Sequence, residues 1–347
     1  MKVIVGMSGG VDSSVTAHLL RERGWEVVGA SFILYEARLK KTFAGCCSME
    51  AINNAQRTAE QLGVRHTRMD LRNEFMEKVI EPFIDAYAQG ITPNPCVLCN
   101  RFIKFPSLLK IASEHNAEFI ATGHYARVEE GKLLKGRDER KDQSYFLYIL
   151  NHEALSRLVL PLGEMRKDEV REIARSLNLP AAERPESQEI CFIEDKNYFT
   201  FIDHLMIEER ESGPMVDIES KKVVGMHKGI YAYTVGQRKG LGLSSPSPLF
   251  VVKIEARTNT VYVGPRDAAM SSKIMLEDIT WLVPKHGEFR ATVKIRSMMK
   301  DEPATVFLTD LAGVRIVFDE PQWAPAPGQS AVLYDGDLVI GGGVISG

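Results

Sequence analysis

The sequence has no apolar run approaching the ~18 residues that a membrane-crossing helix requires, and no charged leader precedes its first strand-like segment. A soluble, untargeted, cytoplasmic protein is expected. Cysteine is scarce: Cys46, Cys47, Cys96, Cys99 and Cys191 are the whole supply, clustered in the earlier part of the chain. Such a set excludes a secreted disulfide framework and points instead to catalysis or metal binding. Charge of one sign is also lacking, because 43 Lys and Arg stand against 46 Asp and Glu, a net −3. That balance excludes a protein coated in basic surface while leaving room for local patches. Internal repeats and low-complexity tracts are absent. With 44% hydrophobic content, the 347 residues suffice for two or three domains with real cores.

Against those absences stands Gly6-Met7-Ser8-Gly9-Gly10-Val11-Asp12-Ser13. It follows the apolar run Val3-Ile4-Val5 and precedes Val11, Val15 and Leu19 at helical spacing. Strand, glycine loop and helix in that order aim backbone N–H groups and a helix N-terminus at a phosphate. Gly9 and Gly10 permit positive φ and close approach of an anion, while Ser8, Ser13 and Ser14 offer hydroxyls. The segment lacks the lysine of a Walker A loop and does not fit the dinucleotide fingerprint. It is similar to the pyrophosphate loop of enzymes that form adenylates from ATP, and ATP binding is expected.

Strand-like segments at 2–5, 26–33, 66–71 and 118–121 alternate with helical patterns at 13–23, 49–62, 74–88 and 101–115. The alternation predicts an α/β domain with a parallel sheet and ligands at the carboxyl ends of its strands. Two long connections, 34–48 and 89–100, hold four of the cysteines. The pattern from 151 to 179 reads as helical, with Arg166-Lys167-Asp168-Glu169 opening a helix that stops before Pro180. Short strands and turns follow from about 213, and apolar alternation from about 272 predicts a small β-barrel.

Thr92-Pro93-Asn94-Pro95-Cys96-Val97-Leu98-Cys99-Asn100 places a Cys-x-x-Cys in a proline-stiffened loop. By itself the pair fits a redox couple, half a zinc site or two iron–sulfur ligands, but no second Cys-x-x-Cys or His pair completes a zinc set. Cys191 sits among apolar residues that suit a short buried strand. Thr122-Gly123-His124-Tyr125-Ala126-Arg127 follows a strand, so Gly123 can pack against a nucleotide while His124 and Arg127 meet base or phosphate. Lys141-Asp142-Gln143 offers a cation, a carboxylate and an amide in succession, a pattern equally at home in a solvated turn.

In order and approximate spacing, residues 8–13, 92–100, 122–127, 141–146, 187–193 and 236–242 resemble the tRNA-specific 2-thiouridylases, and the resemblance covers essentially the whole chain. It implies an adenine-nucleotide α hydrolase-like (PP-loop) catalytic domain over 1–205, a central tRNA-contacting domain over 206–271 and a C-terminal β-barrel over 272–347. It further implies ATP and Mg2+ as cofactors, ATP contacts from residues 6–13, Phe32 and Gly123, and sulfur transfer to C2 of the wobble uridine. The implied nucleophile is Cys99, and the implied persulfide carrier is Cys191. Contacts to tRNA are implied for Asn94, Pro95, Cys96, His124, Lys141, Asp142, Gln143, Lys294, Arg296, Ser297 and Gln329, with Gln237, Arg238 and Lys239 as further candidates. The partners are tRNA and a sulfur-donor protein or inorganic sulfide, with neither membrane nor DNA.

One departure matters. Many relatives carry Asp where this chain has Cys96. The change removes a carboxylate and makes a three-cysteine set, so a [4Fe–4S] cluster on Cys96, Cys99 and Cys191 is the favoured sulfur route, with the persulfide as alternative. Adjacent Cys46 and Cys47 read as ordinary loop thiols. An ATP-dependent small-molecule synthetase leaves the paired cysteines and the barrel without purpose, and a non-catalytic RNA binder leaves Asp12 and Ser13 without one.

Overall fold

The computed structural model describes residues 1–35, 49–182, 190–193, 198–205, 211–308 and 313–347. Cys46, Cys47 and residues 187–189 of the Cys191 motif lie outside them. The chain divides into two compact units: Met1–Ile80 with Pro95–Tyr198 and Asp337–Val339, and Glu81–Asn94 with Phe199–Gly336 and Ile340–Gly347.

In the first unit, β1 (Lys2–Gly6), α1 (Val11–Glu22), β2 (Glu26–Ile33), α2 (Met49–Leu62) and β3 (Arg65–Asp70) follow the predicted alternation. Val3, Ile4 and Val5 are fully buried, as befits a central strand covered on both faces. The segment expected as one helix over 74–88 is divided into α3 (Arg72–Phe75), a π-helical turn (Met76–Ile80) and α4 (Glu81–Ala88), the last belonging to the second unit. The 89–100 connection is likewise more ordered than expected. It contains α5 (Pro95–Cys99), which passes through a second π-helical turn (Asn100–Lys104) into α6 (Phe105–Glu114). Pro95 tolerates the first helical position because an N–H there would have no intrahelical acceptor.

β4 (Phe119–Ala121) precedes the hairpin of β5 (Ala126–Glu129) and β6 (Lys132–Lys135). The stretch from 151 is not uniformly helical: α7 (His152–Arg157) gives way to β7 (Leu158–Val159) before α8 (Lys167–Ser176). Leu158 and Val159 pair in parallel with Ile120 and Ala121 and complete a sheet of order β3-β2-β1-β4-β7. A two-residue strand is too short to show a period. The expected strand at Cys191 is instead a turn, with the Ile193 N–H donating to the Ile190 carbonyl at 3.1 Å.

In the second unit, α9 (Tyr198–Leu205) is followed by β8 (Gly213–Asp217), β9 (Val223–His227), β10 (Phe250–Glu255) and β11 (Thr260–Gly264), which form a sheet of order β10-β11-β8-β9. The expected barrel then appears. β12 (Met270–Trp281), β13 (Glu288–Lys294), β14 (Glu302–Leu308), β15 (Val314–Trp323), β16 (Ser330–Asp335) and β17 (Leu338–Ile345) run in the order β12-β15-β14-β13-β16-β17, and β12 pairs with β17 to close it. Its interior is lined by Leu276, Val293, Val306, Ile316 and Leu333.

Candidate active site

β1 ends where the glycine loop begins. Gly9 has φ +71°, and a Cβ on it would fall 1.9 Å from the Ala51 carbonyl oxygen at the start of α2, so no other residue fits. Gly10 does not use its expected freedom: it is extended at φ −95° and caps α1 without a side-chain hydrogen bond. The first-turn N–H groups of α1 are thereby left for a ligand, with the positive end of the helix dipole behind them. The serines divide their work. Ser13 Oγ accepts the Ser8 N–H at 3.2 Å and donates to the Gly10 carbonyl at 3.2 Å. Ser14 is fully buried and donates to the same carbonyl at 2.9 Å, so it shapes the loop, while Ser8 remains exposed. Gly6 closes β1, Met7 and Val11 are buried beneath the loop, and Phe32 lies partly exposed near the carboxyl end of β2. Gly123 touches the first turn of α1 directly, since a Cβ there would sit 2.8 Å from Asp12 C and Ser13 N.

Around Asp12 lies a network that sequence reading missed. Tyr125 Oη donates to Asp12 Oδ1 at 2.8 Å, and Lys167 Nζ donates to the same oxygen at 2.6 Å. The Lys167 side chain is only 9% exposed and also lies 5.5 Å from the Tyr125 ring centroid. Gln143 holds Tyr125 from both sides of its peptide: Oε1 accepts the Tyr125 N–H at 3.0 Å and the Gln143 N–H donates to the Tyr125 carbonyl at 2.8 Å. One sequence signal was available. Lys167 is the first residue of α8, where the helix dipole disfavours a cation, so its placement called for another reason.

Other expected contacts are turned inward. His124 Nδ1 bonds Thr122 Oγ1 at 2.8 Å, and its ring stacks on Phe105. Burial, with Lys104 nearby, lowers its pKa to about 3, so it meets a ligand as a neutral imidazole and not as a phosphate-binding cation. Arg127 pairs with Asp337 at 2.6 Å and Glu129 at 3.0 Å. Asp142 accepts from the N–H groups of Gly136 and Ser144 and from the Ser144 hydroxyl, which shapes the turn that carries Lys141.

Cys96 and Cys99 lie three residues apart on α5, on one side of the helix; Cys99 is 4% exposed and Cys96 partly so. Buried Asn100 follows, its Nδ2 donating to the Phe146 carbonyl at 2.9 Å. Cys191 is partly exposed, beside Phe192, which packs edge-on against Phe75. Among the described residues no three His, Cys, Asp or Glu side chains are placed to hold a metal ion. Cys96, Cys99 and Cys191 are all described, so the expected cluster-ligand set is not assembled. The iron–sulfur expectation thus finds no support among the described residues.

In the second unit, Gln329 Nε2 donates to the carbonyls of Thr92 and Pro93 at 3.0 and 3.2 Å, steadying the approach to Asn94. Two of the barrel cations have partners within the unit. Lys294 is buried at 7% exposure, and Arg296 Nη2 donates to the Val235 and Ala324 carbonyls at 2.9 and 2.8 Å. Ser297 is partly exposed beside them, and Gln237 is bonded within its own loop. No helix among the described residues is long and apolar enough to cross a membrane.

A parallel sheet bearing an uncapped glycine loop, in a chain that ends in a β-barrel, defines an α/β nucleotide-binding protein with appended β domains. Family models match in that order: a tRNA methyl transferase HUP domain over residues 1–195, a tRNA methyl transferase PRC-barrel domain over 200–265 and an aminomethyltransferase beta-barrel domain over 271–345. The tRNA-specific 2-thiouridylase MnmA of Carboxydothermus hydrogenoformans is 45% identical over 99% of this chain and 97% of its own length. That of Geobacter metallireducens is also 45% identical, over 99% of this chain and 96% of its own. A solved 4-thiouridine synthetase–RNA complex with bound ATP aligns over 58% of this chain and 50% of that one, at 19% identity and a TM-score of 0.39. This chain belongs to the tRNA-specific 2-thiouridylase family.

Proposed function

We propose that the protein is an ATP-dependent tRNA uridine 2-sulfurtransferase, organised as a catalytic domain over 1–205, a central domain over 206–271 and a barrel over 272–347. The observation that carries this reading is kinship over 99% of the chain with 2-thiouridylases, together with a glycine loop whose helix N-terminus has no side-chain cap. Methyl transfer, named in the family-model descriptions, gives that loop no task. Sulfur transfer does, because a uracil carbonyl oxygen leaves poorly until it is activated.

The loop from Ser8 to Ser13 binds the phosphates, Phe32 and Gly123 border the nucleotide, and Asp12 would hold Mg2+, which would supply charge neutralisation to the phosphates. The C2 oxygen of the uridine attacks the α-phosphorus, the bond to the β-phosphate oxygen breaks, and pyrophosphate leaves with the electron pair. A persulfide on Cys191, supplied by a sulfur-donor protein or inorganic sulfide with an oxidant, delivers its outer sulfur to C2 as AMP departs. The Cys99 thiolate then attacks the inner sulfur of Cys191, the S–S bond to the sulfur now on C2 breaks to leave the 2-thiouridine, and the resulting Cys99–Cys191 disulfide is reduced by an external thiol. Cys96, with Asn94 and Pro95, borders the target base. Lys141, Asp142, Gln143, His124, Lys294, Arg296, Ser297 and Gln329 shape the surfaces that meet tRNA. Incubation with tRNA, ATP and a persulfide donor, followed by nucleoside mass spectrometry, tests the reading. Accumulation of 2-thiouridine is expected, and pyrophosphate release that ignores tRNA would count against it.

A further inference from the structure

We infer that Ser31 and His66 are positioning residues for the phosphate-binding loop, an inference that rests on the ATP reading above. Ser31 stands near the carboxyl end of β2 and is 2% exposed. A hydroxyl buried in a sheet is costly unless it is bonded, and this one is bonded twice. It donates to the Met7 carbonyl at 2.6 Å and lies 2.9 Å from His66 Nε2 on β3. A carbonyl can only accept, so the single hydroxyl hydrogen is committed to Met7, and His66 must donate through Nε2–H. Burial, then the neighbouring Arg68, holds the His66 pKa below the ordinary 6.5, with Glu60 of α2 opposing them. The neutral Nε2–H tautomer meets that demand.

The run of bonds continues across the loop. The carbonyl that accepts from Ser31 belongs to the Met7–Ser8 peptide, whose N–H donates to Ser13 Oγ at 3.2 Å. Ser13 in turn donates to the Gly10 carbonyl at 3.2 Å. Donors and acceptors thus lead from β3 through one loop peptide to the N-cap of α1. Held at both its polar atoms, that peptide is kept from rotating and turning its carbonyl towards a phosphate. Met7 is fixed along the chain as well, its N–H donating to the Ala30 carbonyl at 2.7 Å. Gly29 makes the room: a Cβ there would stand 2.5 Å from Met7 Sδ and 3.1 Å from His66 Cδ2, so side chain and ring share the space over β2. Ser31 and His66 act without touching the nucleotide. They hold the loop so that its N–H groups and the first turn of α1 meet the phosphates already oriented, and small displacements of such groups are costly.

Calorimetric titration of the full-length protein with MgATP and with adenosine provides the test, with urea melts run alongside. Ser31→Ala is expected to lower the ATP-to-adenosine affinity ratio about tenfold while leaving adenosine binding unchanged. His66→Leu should lower the ratio by a smaller factor, and His66→Gln should restore it through a side-chain N–H. In the Ser31→Ala background His66→Leu should add nothing, because its effect passes through the hydroxyl. A purely structural role would shift the melts and leave the ratio where it was. If Ser31→Ala does not fold, the His66→Leu and His66→Gln pair decides. A parental ratio in folded Ser31→Ala or in His66→Leu, equal losses in His66→Leu and His66→Gln, or additive losses in the double variant would each overturn the inference. A parent that prefers MgATP to adenosine yet forms no 2-thiouridine on tRNA would instead strike the proposed function, and the same ratios would still decide the role of Ser31 and His66.

Discussion

Gly123 leaves no room for a methyl group, because its added carbon would stand 2.8 Å from the backbone of Asp12 and Ser13. Gly123→Ala is therefore expected to push α1 away from the nucleotide at a stability cost of about 1–3 kcal/mol. ATP titration and a denaturant melt would check it, and parental values in both would refute the contact. His124 yields a pH prediction. Its pKa falls from the ordinary 6.5 to about 3 in the folded protein because burial and Lys104 penalise the imidazolium. Below 6.5 the unfolded chain binds a proton that the folded site refuses, so this residue's contribution erodes as pH falls towards about 3 and has no slope above 6.5. Urea melts of the parent and His124→Gln between those limits should show a shallower loss in the variant. At this scale the sequence was legible where neighbours along the chain supply the geometry, as in the glycine loop. Asp12 meets Tyr125 and Lys167 across 113 and 155 residues, and no local spacing encodes those meetings.

α5 and the π-helical turn after it set the surroundings of Cys99. Prolines on either side of Asn94 read as loop stiffeners, yet the second of them begins a helix. The Cys-x-x-Cys thus became a same-side helical pair rather than two ligands in an open loop. Asn100 anchors this element through its bond to the Phe146 carbonyl. Asn100→Ala is expected to cost about 1–3 kcal/mol through the stranded carbonyl, and to slow thiolation more than ATP binding because Cys99 adjoins it. Urea melts and paired activity and nucleotide assays measure both. Long periodic elements such as α2 appeared where the pattern placed them, whereas β7 escaped because its two residues take their identity from β4 rather than from their own sequence.

Across the whole molecule, alternation of strands and helices, then of apolar and polar residues, announced the change from α/β layers to a closed barrel. What the sequence hid was which charges face inward. Arg296 looks like an RNA contact in sequence but ties the Val235 and Ala324 carbonyls together. Arg296→Ala should raise hydrogen exchange in residues 235–242 and leave ATP affinity unchanged; parental exchange there would show the tie to be dispensable. Among the described residues no metal-ligand set is assembled. The most direct measurement supplies iron-free protein with ATP, tRNA and a persulfide donor under anaerobic conditions, counting pyrophosphate and 2-thiouridine together. Matched amounts of the two are predicted for the parent, with 2-thiouridine retained in Cys96→Ala and abolished in Cys99→Ala and Cys191→Ala. Absence of 2-thiouridine from the iron-free parent, restored by iron and sulfide in a manner that requires Cys96, would contradict it.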